Sequence, residues 1–459
     1  MLEPMRRASR RLTRRDLLRG SAALSACAAL GGCGTPIDPG PPPGAVGSRP
    51  FRDLPEGTDT IPQIEHVVIL MMENHSFDNV LGMLPRRVRS RRRVDGLRFD
   101  RRGRPLDYNR DAAGRRVYSS HSPSPCQLPD LPGQDWNRSH VSWDRGRNDG
   151  FVRASGPVAM RFWDDRDLPV TYSLAARFPI GERYFQSCLA QTYPNRRFLF
   201  AATASGTIAT LNSELGKYPP PNGTIFDRLD RHGISWRNYY QQVPSTLIIP
   251  QILAGANGPY KDNLQRIEHF FADARAGRLP RVTLIDPDYN TTSEENPQDI
   301  QVGERFVHDV VAALMRSPNW SRTALFLTYD EHGGYYDHVP PPRAIPPDST
   351  RPRLAPGDVP GGYDRYGFRV PMIVVSPWGR PAYVSRHVQD HTSILAFIER
   401  KWNLPALTWR DANAHPMTDY FDFRRPAFRR PPRLPPPPPL GPGLARCRAE
   451  GLNPPLPPA

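Results

Sequence analysis

Lysine is almost absent from this chain: three occur in 459 residues (Lys217, Lys261 and Lys401), so nearly all of the formal charge of +15 is arginine. A skew of that kind reflects coding bias as readily as selection for a polyanion, and its distribution argues against a nucleic-acid partner. Seven Arg fall in the first 32 residues against Glu3 and Asp16. Ten more lie between Pro85 and Arg104 among turn residues with few aromatics, the pattern of a solvated surface insertion, with attraction to anionic lipid head groups as the second reading. Cysteine is scarce too: five are present, and none has the spacing of a zinc site. No apolar run beyond the amino terminus approaches the roughly 20 residues that cross a bilayer. A high proline count, 55, describes a globular chain with long irregular connections.

The amino terminus has the form of a targeting segment. Thr13-Arg14-Arg15-Asp16-Leu17-Leu18 reads as a twin-arginine export signal, followed by the mildly apolar Leu24 to Leu30. Leu30-Gly31-Gly32-Cys33 then has the form of a lipobox, in which the cysteine is acylated. The expectation is a signal over 1–33 handled by the twin-arginine export machinery, and a Pro/Gly-rich tether over 34–61. The destination is the periplasm or cell surface, with peripheral membrane association through an acylated Cys33. Export permits a disulfide, and among the remaining cysteines (Cys126, Cys188, Cys447) the expected pair is Cys126 with Cys188.

From Ile64 onward apolar runs alternate with amphipathic segments, which predicts an α/β fold: an αβα sandwich around a largely parallel sheet, over residues 62–423. Regions 85–170 and 340–365 read as loop insertions. From Arg424 proline dominates, and the tail to residue 459 is expected to be extended and without a catalytic role.

Two strands carry the chemistry. The run Ala324 to Leu327 ends in Asp330-Glu331-His332-Gly333-Gly334, and the run Val67 to Met72 ends in Glu73-Asn74, with Ser76 placed to cap a helix. Ligands in open α/β sheets sit beyond the carboxyl ends of the strands, and oxygen donors at two such ends suit a hard cation. Thr192 precedes Pro194, a residue suited to the first turn of a helix, so its hydroxyl is expected at the positive end of the helix dipole, where phosphate oxygens are held. An alcohol becomes a competent nucleophile when a divalent cation lowers its pKa. Asp286 and Asp288 follow another strand, where a place facing the cleft is one reading and Pro287 with its turn is a sufficient structural reason for them.

Four segments occur in order: Glu73-Asn74-His75-Ser76-Phe77-Asp78, Thr192-Tyr193-Pro194-Asn195-Arg196, Asp330-Glu331-His332-Gly333-Gly334 and Asp390-His391-Thr392-Ser393. Together, over about residues 62–405, they resemble the bacterial phosphoesterase family of non-specific phospholipases C and acid phosphatases. The resemblance implies an alkaline-phosphatase-like fold. It implies a divalent metal, Ca²⁺ or Mg²⁺ by its oxygen ligands, held by Glu73, Asn74, Asp330 and Glu331, with Thr192 as both ligand and nucleophile through a phospho-enzyme. It further implies substrate contacts from His140, Asn148 and Asn195, and His332 either as the acid for the leaving alcohol or as a residue supporting the ligands from behind. The expected substrates are phosphodiesters such as phospholipid head groups, with phosphomonoesters next and a non-catalytic, surface-tethered binding protein as the alternative of another class. The chain departs from the family where Asp-Glu-His-Pro-Pro is common: here the stretch is Glu294-Glu295-Asn296-Pro297-Gln298.

Overall fold

A computed structural model of the chain describes residues 44–127, 131–440 and Cys447. The signal, Cys33 and the first part of the tether lie outside the described residues.

The centre is an eight-stranded sheet. In chain order its strands are β1 (His66–Met72), β2 (Ile180–Gly181), β3 (Trp236–Tyr240), β4 (Leu264–Arg266), β5 (Val282–Asp286), β6 (Thr323–Tyr329), β7 (Met372–Val375) and β8 (Val384–Ser385). Their spatial order is β8-β2-β7-β6-β1-β5-β3-β4. Only β7 runs against its neighbours, pairing antiparallel with both β6 and β2; the other pairings are parallel. β1, β5, β6 and β7 are buried along their whole length, which is why they read as continuous apolar runs rather than alternating ones.

Helices cover the sheet. Those that matter below are α1 (Phe77–Leu81), α2 (Pro169–Arg177), α3 (Thr192–Ala201), α4 (Ile300–Arg316) and α5 (His391–Trp402). Ser76 caps α1, its Oγ accepting from the Asn79 amide. Asp390 and Ser393 form a capping box at α5. The apolar stripe Val302, Phe306, Val310, Val311 and Leu314 faces the core from α4.

Two expectations are corrected. The disulfide joins Cys126 to Cys447 across 321 residues of sequence, and Cys188 is a buried free thiol; partners that distant are set by the folded surface, not by spacing. The tether also ends earlier than its composition indicates. From Gly44 the chain is docked on the body: the Gly47 amide donates to Ala406 O, Asn403 exchanges hydrogen bonds with Phe51, and Lys401 Nζ pairs with Asp59. Among the described residues, no helix is long and apolar enough to cross a membrane.

Candidate active site

Parallel pairing fixes where the acids meet. Met72 is in register with Tyr329, so the next residues of β1 and β6, Glu73 and Asp330, leave the sheet side by side. On the other flank of β1, strand β5 ends in Asp286. Three adjacent parallel strands therefore each end in a carboxylate, and all three are buried.

One guanidinium joins them. Arg196, itself 1% exposed, lies 2.9 Å through Nε from Asp330 Oδ2, 3.2 Å through Nη1 from Asp286 Oδ1 and 3.4 Å through Nη2 from Glu73 Oε1. It sits one turn into α3, and Thr192 is the first residue of that helix. Residues four apart lie on one helix face, about 6 Å apart along the axis. Thr192, 8% exposed, thus occupies the end of the helix anchored to the acids, and the neighbouring Tyr193 phenol is itself raised, by burial and by the charge of Glu73. Asn195 was expected to contact substrate, but its amide is committed elsewhere. Its Oδ1 accepts from the Cys188 amide, and its Nδ2 donates to Ala190 O and Gln191 O. These bonds brace the turn over residues 188–191 that leads into α3.

A fourth acid was not anticipated. Glu295 Oε1 accepts from Asn74 Nδ2 at 2.8 Å and from Gln134 Nε2 at 2.9 Å. The charges of Glu295 and Asp330 both press on Glu73 and on Glu331. Burial, then mutual repulsion, holds Glu73 and Glu331 well above the carboxylate range. Asp330 is pushed up to about 6, by burial against the opposing pull of Arg196. One arginine among five acidic side chains leaves the pocket short of positive charge, which is why its carboxyls resist ionisation. Asn74 Oδ1 and Glu331 Oε1 are buried and have no hydrogen-bond partner. Unsatisfied buried oxygens and repelling carboxylates fit a hard divalent cation, with the His332 imidazole Nδ1 lying 3.1 Å from Glu331 Oε2 at the edge of the set.

The turn after β6 depends on glycine. Gly333 has φ +63°, and a Cβ there would lie 1.9 Å from the carbonyl oxygen of Asn74. His332 does not suit the expected role of acid. Its ring is fully buried against Phe368 and Phe151, and burial lowers its pKa to about 3, so it is neutral at physiological pH. His391 instead supports the strand end: Nε2 lies 2.8 Å from Asp330 O and Nδ1 3.0 Å from the Tyr184 hydroxyl. His140 Nδ1 donates to Trp136 O at 2.7 Å, which leaves Nε2 as the ring's free nitrogen. Asn148, with φ +59°, donates to Asp337 O while its own Oδ1 is buried and unpaired. Asn296, at the position where histidine is common, accepts from the Tyr335 hydroxyl and donates to Gln127 O.

Behind the pocket lies a separate charge network. Arg369 bridges Asp78 and Asp337, and His338 bridges Asp78 and Asp95 at 2.6 and 2.8 Å. These carboxylates raise His338 to about 10 despite its burial.

The chain is similar in sequence to several known proteins. The non-specific phospholipase C1 of Arabidopsis thaliana is 32% identical over 404 residues, covering 79% of this chain and 71% of its own. Phospholipase C B of Mycobacterium tuberculosis is 32% identical over 424 residues, covering 79% and 78%. The non-hemolytic phospholipase C of Burkholderia pseudomallei is 30% identical over 445 residues, covering 80% and 60%. A solved protein of the alkaline phosphatase superfamily from Vibrio parahaemolyticus superposes over 83% of this chain and 74% of its own at 9% identity, with a TM-score of 0.39. The Phosphoesterase family matches residues 64–405, three quarters of the chain and all of the strand ends described above, and the chain belongs to that family.

Proposed function

We propose that this phosphoesterase hydrolyses phosphodiesters, with phospholipid head groups as the preferred class, through Thr192 as nucleophile in a metal-dependent reaction. The observation that carries the reading is the single arginine of α3 tying Asp286, Glu73 and Asp330 to the helix that begins at Thr192. Glu73, Asn74, Asp330 and Glu331 would hold a divalent cation, Ca²⁺ or Mg²⁺ by their all-oxygen chemistry. Bound there, it would lower the pKa of an adjacent alcohol and offset negative charge on phosphoryl oxygens.

The chain's own residues supply the rest. Glu295 orients the Asn74 amide through Nδ2, leaving Oδ1 free for the cation. Arg196 keeps Asp330 and Glu73 in place and tempers their repulsion. The Thr192 hydroxyl attacks phosphorus, forming an O–P bond as the bond to the alcohol oxygen breaks. The threonine proton is lost and the departing alcohol takes one up. Water then cleaves the phosphothreonine and restores the hydroxyl. His140 Nε2 and the unpaired Asn148 Oδ1 are the groups we assign to contacts with the substrate. The named activity of the relatives, phospholipase C, favours a diester over a monoester.

The test is a panel of p-nitrophenyl phosphorylcholine, p-nitrophenyl phosphate and phosphatidylcholine, assayed with chelator and with added Ca²⁺ or Mg²⁺. The expected result is release from the diesters that chelation abolishes and the cation restores. Binding of phosphorylcholine without turnover under every condition would instead mark a non-catalytic binding protein. Export and acylation of Cys33 belong to the same proposal, and mass spectrometry of the protein from its native membrane fraction tests them.

A further inference from the structure

Outside the acid pocket the charge of the chain is concentrated in one place. Residues 33–459 carry a formal charge of +10, and residues 85–118 alone hold thirteen Arg against four Asp. One insertion therefore accounts for nearly all the excess. Arg91 anchors it: buried, it donates to Ala175 O, to Tyr383 O at 2.9 Å and to Phe178 O, at the carboxyl end of α2. Several neighbours form ion pairs, among them Arg98 with Asp107, Arg104 with Asp100 and Arg115 with Asp111. Arg89, Arg92, Arg93, Arg101 and Arg102 are exposed and make no ion pair among the described residues. The proline-rich tail reaches the same end of α2: Phe428 packs 4.4 Å from Phe178, and Arg177 reaches the Arg433 carbonyl. Arg429, Arg430 and Arg433 of that segment are exposed as well.

The insertion offers more than charge. Its antiparallel hairpin, Tyr108–Arg110 with Arg116–Tyr118, sets two tyrosine rings 5.4 Å apart, with the Arg116 guanidinium 4.5 Å over Tyr108. Tyr118 is 40% exposed, and Leu106 beside the hairpin is 50% exposed. Arginine for phosphate, tyrosine at the polar boundary and a projecting leucine are the side chains suited to a lipid head-group layer. The hairpin is also tied to the catalytic end of the sheet. Asn109 Oδ1 accepts from the Phe151 amide, and the Phe151 ring packs against His332, next to Glu331.

We infer that this arginine- and tyrosine-bearing face seats the protein on an anionic phospholipid surface, independently of any acyl anchor; the choice of lipid as occupant rests on the phospholipid reading above. A nucleic acid matches the charge but gives no use to the exposed Leu106. The full-length chain with Cys33→Ser, which excludes acylation, is sedimented with vesicles of pure phosphatidylcholine or of phosphatidylcholine with 30% phosphatidylglycerol. The same is done for a fivefold variant replacing Arg89, Arg92, Arg93, Arg101 and Arg102 by Ser.

The parent should bind the anionic vesicles at least about tenfold better than the neutral ones, and lose that preference at high salt. The variant should lose at least about a hundredfold in partitioning, since each surface arginine contributes about fivefold. Hydrolysis of soluble p-nitrophenyl phosphorylcholine should be equal in the two proteins, which also reports that the variant is folded. Equal binding of parent and variant to anionic vesicles overturns the inference, as does a parent that prefers duplex DNA to vesicles at the same salt. If vesicle binding behaves as expected while neither protein hydrolyses any ester, the docking face stands and the proposed reaction falls.

Discussion

Replacing Arg196 with Met keeps an unbranched side chain and removes the cation that, among the described residues, the three strand ends share. Asp330 and Asp286 are fully buried and Glu73 is 3% exposed, and the guanidinium lies within 3.4 Å of an oxygen of each. Truncating one partner of a buried ionic network costs about 3–5 kcal/mol, because the charge left behind is uncompensated. With an unfolding entropy of about 2.1 cal/mol/K per residue over some four hundred folded residues, that is a fall in Tm of about 4–6 °C. The assay is thermal unfolding of both proteins in chelator at pH 8 and pH 5, then with added divalent cation. Without the arginine, the pocket carboxyls hold their protons more tightly folded than unfolded. Their neutral forms thus favour the native state at low pH, and that support is lost as pH rises. The variant's deficit should therefore be smaller at pH 5 than at pH 8. A cation at a hundred times its Kd contributes about 2.7 kcal/mol and should recover much of the loss. A variant within 1 °C of the parent in chelator at pH 8, or a deficit indifferent to both pH and cation, would refute the reasoning.

Other consequences are open to the same instruments. In the unaltered protein, stabilisation by added divalent cation should grow between pH 5 and pH 8, because Asp330, held near 6, and the higher Glu73 and Glu331 must release protons to bind it; calorimetry at the two pH values checks this. Gly333→Ala should cost more than about 1 kcal/mol, from positive φ and from contact with the Asn74 carbonyl. It should also lower kcat sharply, since the residue it displaces carries a proposed cation ligand. His338→Gln should destabilise by about 2 kcal/mol or more below pH 6.5. The folded imidazolium titrates near 10, so this difference should shrink as pH rises from 6.5 through 10, as read by urea unfolding across that range.

Which parts of this could be read from the chain alone follows from what is local. The apolar runs ending in Glu73-Asn74 and Asp330-Glu331 are visible because strands buried on both faces are continuous in sequence, and their acids lie one residue beyond. Ser76, Thr192 and Asp390 are helix-start signals of the same local kind. Arg196 and Glu295 are not legible in that way. Arg196 looks like a surface residue until its helix is laid over three strand ends, and Glu295 lies in a loop whose position is set by Gln134 and Asn74. Asp286 has a sufficient turn explanation in Pro287 until Arg196, Asn238 and the Ser245 amide are seen to converge on it. Burial favours the supporting one of the two readings of His332, and the Asn195 amide, which the motif offers to substrate, is spent on backbone hydrogen bonds that no motif reveals. The Cys126–Cys447 bond joins residues 321 apart in the chain, a pairing that no spacing encodes.

The most direct measurement is the rate of p-nitrophenyl phosphorylcholine hydrolysis by Thr192→Ala and Thr192→Ser at saturating divalent cation, each shown to unfold at the parent's Tm. Attack by the Thr192 hydroxyl predicts a loss of at least about a thousandfold in kcat for alanine, and a serine enzyme that recovers most of it. An alanine variant within tenfold of the parent would contradict the account.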